Sequence, residues 1–349
     1  MAVGEGNSEL TRRQHALLMA MLQEFIATAE PVGSHQLAAR HPLGVRAAMV
    51  RNLMGELEDS GFLHQPHTSA GRVPTEKAFR YYVDQLIPPP PITHEDRTQI
   101  ELHYSVTSGD VNAIIRDTSR LLALMTGQAA LVTAPRLEAA RLERVTFIRM
   151  RERTVLAIFI AAAGGVHHRL IDADADHTQD ELDRMAAYLN ESLSGRTLEQ
   201  ARHWIEERLH EERVRYDGFV RAALILGGAI AQSWNPAEVY IEGSSKAVEQ
   251  PEFANASRMR ELLRALEDKT ALLDLLERTL TGERRTMVSI GSENIDGRLA
   301  ALSVVAAPYA SGVMPLGSVA VVGPVRMDYE RVIPLVDYTA RRLSRVLED

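Results

Sequence analysis

The chain has 349 residues, 45% of them apolar, no cysteine and a formal net charge of -8. That length and apolar content suit two or three domains with real cores, and the missing cysteine excludes disulfides and cysteine-ligated zinc. The acidic balance argues against a protein that coats nucleic acid by bulk attraction, so any affinity for DNA must come from local placement of cations.

The N-terminal stretch MAVGEGNSELTRR is polar and lacks the apolar centre of a signal peptide, and the longest apolar run, 156–166, is too short to span a bilayer. A cytoplasmic protein with no membrane association is expected. Thr11 with Gln14 three residues on forms a capping box, and Leu18, Met21, Leu22 and Phe25 give the helix that follows one buried face. Pro31 forces Glu30 out of helical geometry. Ser34 is positioned to cap a short second helix through Leu37 and Ala38, which Pro42 stops.

Gly44 permits a tight turn into a third helix over about 46–60, closed by Gly61. Its core face is Val50, Met54 and Leu57, widened by Met49 and Leu53; at 100° per residue the opposite face carries Ala48, Arg51, Asn52 and Gly55. Small residues let a helix sit deep in a major groove, Arg is the usual bidentate partner of guanine and Asn that of adenine. A solvated helix face carries Arg and Asn too; the short helix and turn ahead of this one tilt the reading to DNA.

Phe62 and Leu63 can start a strand, and the loop from His64 to Pro74 holds His67, Thr68, Ser69, Gly71 and Arg72, all able to donate to phosphate oxygens. Arg72 is the best candidate there for a phosphate or minor-groove contact. Thr75 then caps a helix with Phe79, Tyr82, Val83 and Leu86 on one stripe, a spacing that makes Tyr81 and Tyr82 core residues in preference to base-stacking groups. The order of elements over 1–87 is that of a winged helix-turn-helix that reads double-stranded DNA.

The four prolines 88–91 favour a stiff polyproline II spacer, and 88–104 is read as a Pro-rich linker. A helix over 110–125 with Val111, Ile114, Ile115, Leu121, Leu122 and Met125 precedes a strand at 129–133. A meander follows at 143–151, 154–162 and 165–172, reversing at Gly164-Gly165, and then three helical segments near 180–194, 198–216 and 219–234. Strands then helices make a self-contained α+β unit. From 238 come the strand VYIEG, two Leu-rich helical segments between 257 and 280, strands at 286–290, 299–307 and 317–322, and an amphipathic helix over 329–347.

The strings EPVGSHQLA, RHPLGVRAAMVRNLMGELEDSGFL and above all QPHTSAGRVPTEKAFRYYVD resemble the HrcA family of heat-inducible transcription repressors, strongly to about residue 87 and more loosely beyond. The resemblance implies a repressor of chaperone genes that binds the CIRCE inverted repeat as a homodimer, with its activity supported by a GroEL-type chaperonin. It also implies a multidomain α+β fold: a GAF-like antiparallel domain in two parts, 105–137 and 236–349, interrupted by an inserted dimerising α+β domain over 138–235. One departure concerns the third helix, where the family has Ser and then a small residue or Pro, and this chain has Arg46 and Ala47. The helix cap is weakened and a cation is added where a phosphate would lie, so the operator is expected to differ in detail.

The candidate DNA contacts are therefore Ser34, Arg46, Ala48, Arg51, Asn52, Gly55, His67, Thr68, Ser69 and Arg72. Asp172, Asp174, Asp176, Asp180 and Asp183 imitate a calcium loop, yet His177 stands where Gly is needed and Asp183 where Glu is needed. An acidic lead into a helix N-terminus accounts for the cluster. His167 and His168 are neighbours on a strand and point to opposite faces, which is wrong for chelation. No P-loop, GxGxxG, GxSxG or HExxH occurs, and neither an enzyme, a metal nor a cofactor is expected. The competing reading is a winged-helix repressor gated by a small metabolite in the GAF-like domain.

Overall fold

The computed structural model describes residues 10–42, 44, 46–67, 70–86, 88–106, 111–135, 141–161, 166–215, 218–232, 238–281, 286–294, 299–311 and 314–347. It is a mixed α+β molecule with a helical N-terminal head and two larger antiparallel sheets. The head comprises α1 (Arg12–Thr28), α2 (Ser34–Arg40), α3 (Ala47–Asp59), a two-strand ribbon of β1 (Leu63–His64) and β2 (Val73–Pro74), and α4 (Glu76–Gln85). The capping box of Thr11 and Gln14 opens α1. Gly61, at φ 77°, closes α3: its N–H reaches Glu58 O at 2.9 Å, and that of Phe62 reaches Leu57 O at 2.8 Å. That is the paired closure a left-handed residue makes possible, with Phe62 folded back onto the helix it ends.

The stretch read as linker is more than a spacer. It carries α5 (His94–Val106), which buries Ile100, Tyr104 and Asp96 and is tied to the C-terminal helix α13 (Tyr329–Val346) by Asp96–Arg331 at 3.0 Å and Glu101–Arg342 at 3.0 Å. Then come α6 (Val111–Thr126) and β3 (Ala129–Thr133), every residue of which is buried.

β3 lies inside a five-stranded antiparallel sheet of order β7-β3-β10-β9-β8, with β7 (Val239–Glu242), β8 (Met287–Ile290), β9 (Leu302–Ser311) and β10 (Met314–Pro324). Alternate residues of its strands enter two different cores. Ala130, Val132, Val305, Ala307, Val319 and Val321 meet α6 and α13. Ala129, Leu131, Val304, Ala306, Ala320 and Val322 meet α11 (Ala256–Glu267) and α12 (Lys269–Thr281). Covered on both faces, these strands read as unbroken apolar runs instead of alternating ones.

Thr133 at the end of β3 pairs with Val239 at the start of β7, so the chain leaves the sheet and returns to it at one place. The excursion holds a separate three-stranded sheet of order β4-β5-β6, from β4 (Leu142–Arg151), β5 (Thr154–Ala161) and β6 (Val166–Asp172), with α7 (Gln179–Leu193), α8 (Leu198–Arg215) and α9 (Gly218–Gln232). Its core of Phe147, Phe159, Ile171, Leu182, Leu189 and Leu224 is its own. The expected reversal at Gly164-Gly165 lies outside the described residues. Asp176 forms a two-pronged ion pair with Arg149, and Thr178 and Glu181 make a capping box on α7, which uses the acidic segment as a helix entry.

Candidate nucleic-acid interface

Arg46 is the N-cap of α3, in extended geometry and without a side-chain cap hydrogen bond. Its carbonyl accepts the N–H groups of Met49 at 2.9 Å and Val50 at 3.1 Å. The first N–H groups of the helix have no partner inside it, and the positive end of the helix dipole sits beside an exposed Arg46. Val50, Leu53, Met54 and Leu57 are buried against the rest of the head, while Ala48, Arg51 and Asn52 are exposed and Gly55 is half-buried. Contrary to the helical pattern, Met49 does not widen the core but stands 44% exposed, because the head closes over the other four apolar residues without it.

Ser34 is also reassigned. The N-cap of α2 is Gly33, no side chain caps it, and Ser34 is the first helical residue, half-buried. Thr75 occupies the N-cap position of α4 but its hydroxyl donates to Gly61 O at 2.8 Å and Phe62 O at 3.1 Å, so it ties the helix to the ribbon without capping it. Tyr82 is buried as expected, and Tyr81 packs edge-on against Phe62 and His15.

The hairpin is anchored at its root. Val32 and Arg72 exchange backbone hydrogen bonds of 2.9 and 3.0 Å, adding the α1–α2 connection to the ribbon as a third short strand. A Cβ on Gly71 would lie 2.5 Å from the Val32 carbonyl, so only glycine permits this approach. The Arg72 side chain is not held out to solvent: its Nε donates to Glu58 Oε2 at 2.7 Å and it is largely covered. Arg72 thereby joins the last turn of α3 to the hairpin. His67 is exposed, with its carbonyl accepting from Ala70 N–H at 2.9 Å, while Thr68 and Ser69 lie outside the described residues.

Sequence reasoning missed Glu58 and Val32, whose roles depend on partners 14 and 40 positions away in a folded hairpin. It also missed Glu24, a buried carboxylate on α1 that accepts from Gln36 at 2.9 Å and pairs with Arg40 and His41, fixing α2 to α1. Burial alone would raise the Glu24 carboxyl; the Gln36 amide, Arg40 and His41 outweigh it and hold the group below its ordinary value. A carboxylate in an otherwise apolar helix face was the available signal.

Among the described residues no cluster of three or more His, Cys, Asp or Glu could hold a metal ion, and no helix is long and apolar enough to cross a membrane. A helical head that presents an uncovered helix face with two cations beside an anchored hairpin, carried on a large α+β body, belongs to the class of transcription regulators. A family profile described as HrcA protein C terminal domain matches residues 112–333. Proteins described as heat-inducible transcription repressor HrcA are similar over nearly the full length: that of Geobacter sulfurreducens is 41% identical, covering 98% of this chain and 99% of its own. That of Syntrophobacter fumaroxidans is 38% identical with the same coverage, and that of Sorangium cellulosum is 39% identical over 97% and 98%. A crystal structure described as a hypothetical protein covers 97% of this chain and 99% of its own at a TM-score of 0.67 and 25% identity. The chain belongs to the HrcA family of heat-inducible transcription repressors, which are not enzymes.

Proposed function

We propose that this protein represses chaperone genes in the cytoplasm by binding, as a homodimer, an inverted-repeat operator of the CIRCE type in double-stranded DNA, with a GroEL-type chaperonin sustaining its activity until heat diverts the chaperonin. The observation that carries this reading is the α3 face: Arg46, Ala48, Arg51 and Asn52 exposed together while the opposite face is buried. The N-terminal residues of such a helix reach base edges, and Arg and Asn are the side chains that read guanine and adenine in pairs of hydrogen bonds.

The head is then a winged helix-turn-helix, the five-stranded sheet with its helices a GAF-like domain, and the excursion between β3 and β7 an inserted dimerising domain. The inserted sheet supports that last assignment. Its face away from α7 carries the ladder row Ile148, Leu156 and Leu170, with Met150 beyond it, and Ile148, Met150 and Leu170 are 38%, 56% and 59% exposed. Clustered exposed apolar side chains of this kind mark association surfaces, and a two-fold dimer is what an inverted repeat requires.

The test is a mobility-shift titration of the full chain on a CIRCE-type duplex and on the same duplex with both half-sites scrambled. A preference of about a thousandfold or more is expected at physiological salt. Equal affinity for the two duplexes overturns the reading.

A further inference from the structure

We infer that Met49 determines sequence specificity by packing on the C5-methyl group of a thymine in the major groove. The inference rests on the DNA-reading role of α3 and adds a residue to it. Met49 is the third residue of α3, in the first turn, the part of a recognition helix that reaches base edges. It is 44% exposed although the chain has a complete core beside it, formed by Val50, Leu53, Met54 and Leu57, each at most 8% exposed. On the helix wheel Met49 lies between Asn52 and the core side, so a duplex that places Asn52 against a base edge brings Met49 to the groove floor of a neighbouring base pair.

The chemistry at that position is apolar. Ala48 beside it is too short to hold the helix away from the bases, and Glu56 one turn or more along is drawn toward α1, where it accepts from Gln14 Nε2 at 2.9 Å. Among the four bases only thymine offers an apolar group in the major groove, its C5-methyl. Methionine suits such a contact because its unbranched, polarisable side chain adapts to a small apolar partner without a fixed rotamer. Arg51 and Asn52 read hydrogen-bonding patterns, and Met49 distinguishes thymine from cytosine at a position those two do not cover.

The test uses the full-length protein and the inverted-repeat operator it selects from random duplex DNA. Each thymine of one half-site is replaced in turn by deoxyuridine, which removes the methyl group and leaves every hydrogen-bonding atom in place. One position is expected where the replacement weakens wild-type binding roughly three- to fivefold, the share of one buried methyl group, and about the square of that when both half-sites are changed. Met49→Ala should lose this sensitivity at that position alone, and Met49→Leu should retain it. Thermal melting of Met49→Ala should match the wild type, since the side chain fills no core. The inference is overturned by a deoxyuridine profile that is the same for wild type and Met49→Ala, by a loss spread equally over operator and random DNA, or by an operator without thymine in its half-sites. If the wild type selects no sequence at all, the DNA-reading role of α3 itself fails, which is a separate outcome.

Discussion

Arg51 and Asn52 share the uncovered face of α3, and neither has a hydrogen-bond or ion-pair partner that would compete with a base edge among the contacts described for the head. Changing either to Ala is expected to cost about 1 to 3 kcal/mol of operator affinity and leave binding to random DNA nearly intact; equal losses on both duplexes would remove them from the base-reading set. Arg72 should behave differently. Because its guanidinium is held by Glu58, its effect on DNA binding is expected to run through the position of the hairpin, and Arg72→Ala should weaken all sequences alike. Glu58→Gln tests which role is correct: a brace predicts a loss similar to that of Arg72→Ala, whereas a direct phosphate contact would survive or strengthen once Arg72 is released. Glu24 makes the packing of α2 on α1 depend on pH. Its folded carboxyl titrates below its ordinary value, so its contribution is fully present above the unfolded value near 4.3 and disappears as pH falls through the lowered folded value. Glu24→Gln should cost about 1 to 3 kcal/mol at neutral pH, the worth of charge-assisted hydrogen bonds. In denaturant melts the gap to wild type should close as the pH falls below that range; a gap that is constant with pH would assign the loss to packing.

Elements were legible in the sequence where their cause is local. The capping box of α1, the closure of α3 by Gly61 and the strand pattern of the inserted meander all depend on residues within a few positions of one another, and each is found where its residues foretell it. α5 was not legible. Its sequence HEDRTQIELHYSV follows four prolines and buries only Ile100, Tyr104 and the Asp96 carboxylate, and it is fixed by Arg331 and Arg342, partners 235 and 241 positions away. Met49 shows the other failure. Periodicity gives an angle on the helix, but whether the rim of a core is covered depends on which neighbour arrives, and at that rim none does. The same limit hid the character of the inserted sheet, whose strands have apolar residues at both parities. Phe147, Phe159 and Ile171 face the helices, and Ile148, Leu156 and Leu170 face away from them. A charge at each end of the outward row should therefore break the proposed dimer without unfolding the domain. Leu170→Lys together with Ile148→Lys is expected to sediment as a folded monomer and to lose operator affinity; a dimer that persists would place the interface elsewhere.

Across the whole molecule the head and body share one apolar core. Their apolar residues form a single cluster from Leu17 through Phe79 to Tyr329, with the Phe79 and Tyr329 rings 6.1 Å apart. Polar contacts seal the junction: Glu76 accepts the Ser292 N–H at 3.0 Å and its hydroxyl at 2.6 Å, Arg80 donates to Val288 O and Glu293 at 3.0 Å each, and Arg326 reaches the Ile26 carbonyl. The Glu76 carboxylate even occupies the space a side chain on Gly291 would need. A head so joined is expected to reach its full stability only after the body has folded, and the sheet topology predicts that the body folds late. β3 must wait for β7 across the whole insertion, a closure that costs on the order of 4 kcal/mol of chain entropy, and for β10, where Val132 meets Val319. Until then its apolar strand, together with β9 and the Leu-rich helices α11 and α12, lies open, and non-local pairing of this kind is slow and prone to aggregation. In the proposed mechanism a chaperonin acts on these surfaces during folding, and the strands are withdrawn from it once the sheet is covered on both faces. Adding GroEL-type chaperonin to dilute, refolding protein is therefore expected to raise the fraction that binds operator while the affinity of each folded molecule stays the same. Stoichiometric titration with operator DNA, followed by titration near the dissociation constant, separates the two quantities. Complete and rapid refolding at elevated temperature without chaperonin would sink this mechanism, and so would a chaperonin effect on affinity with no change in the active fraction.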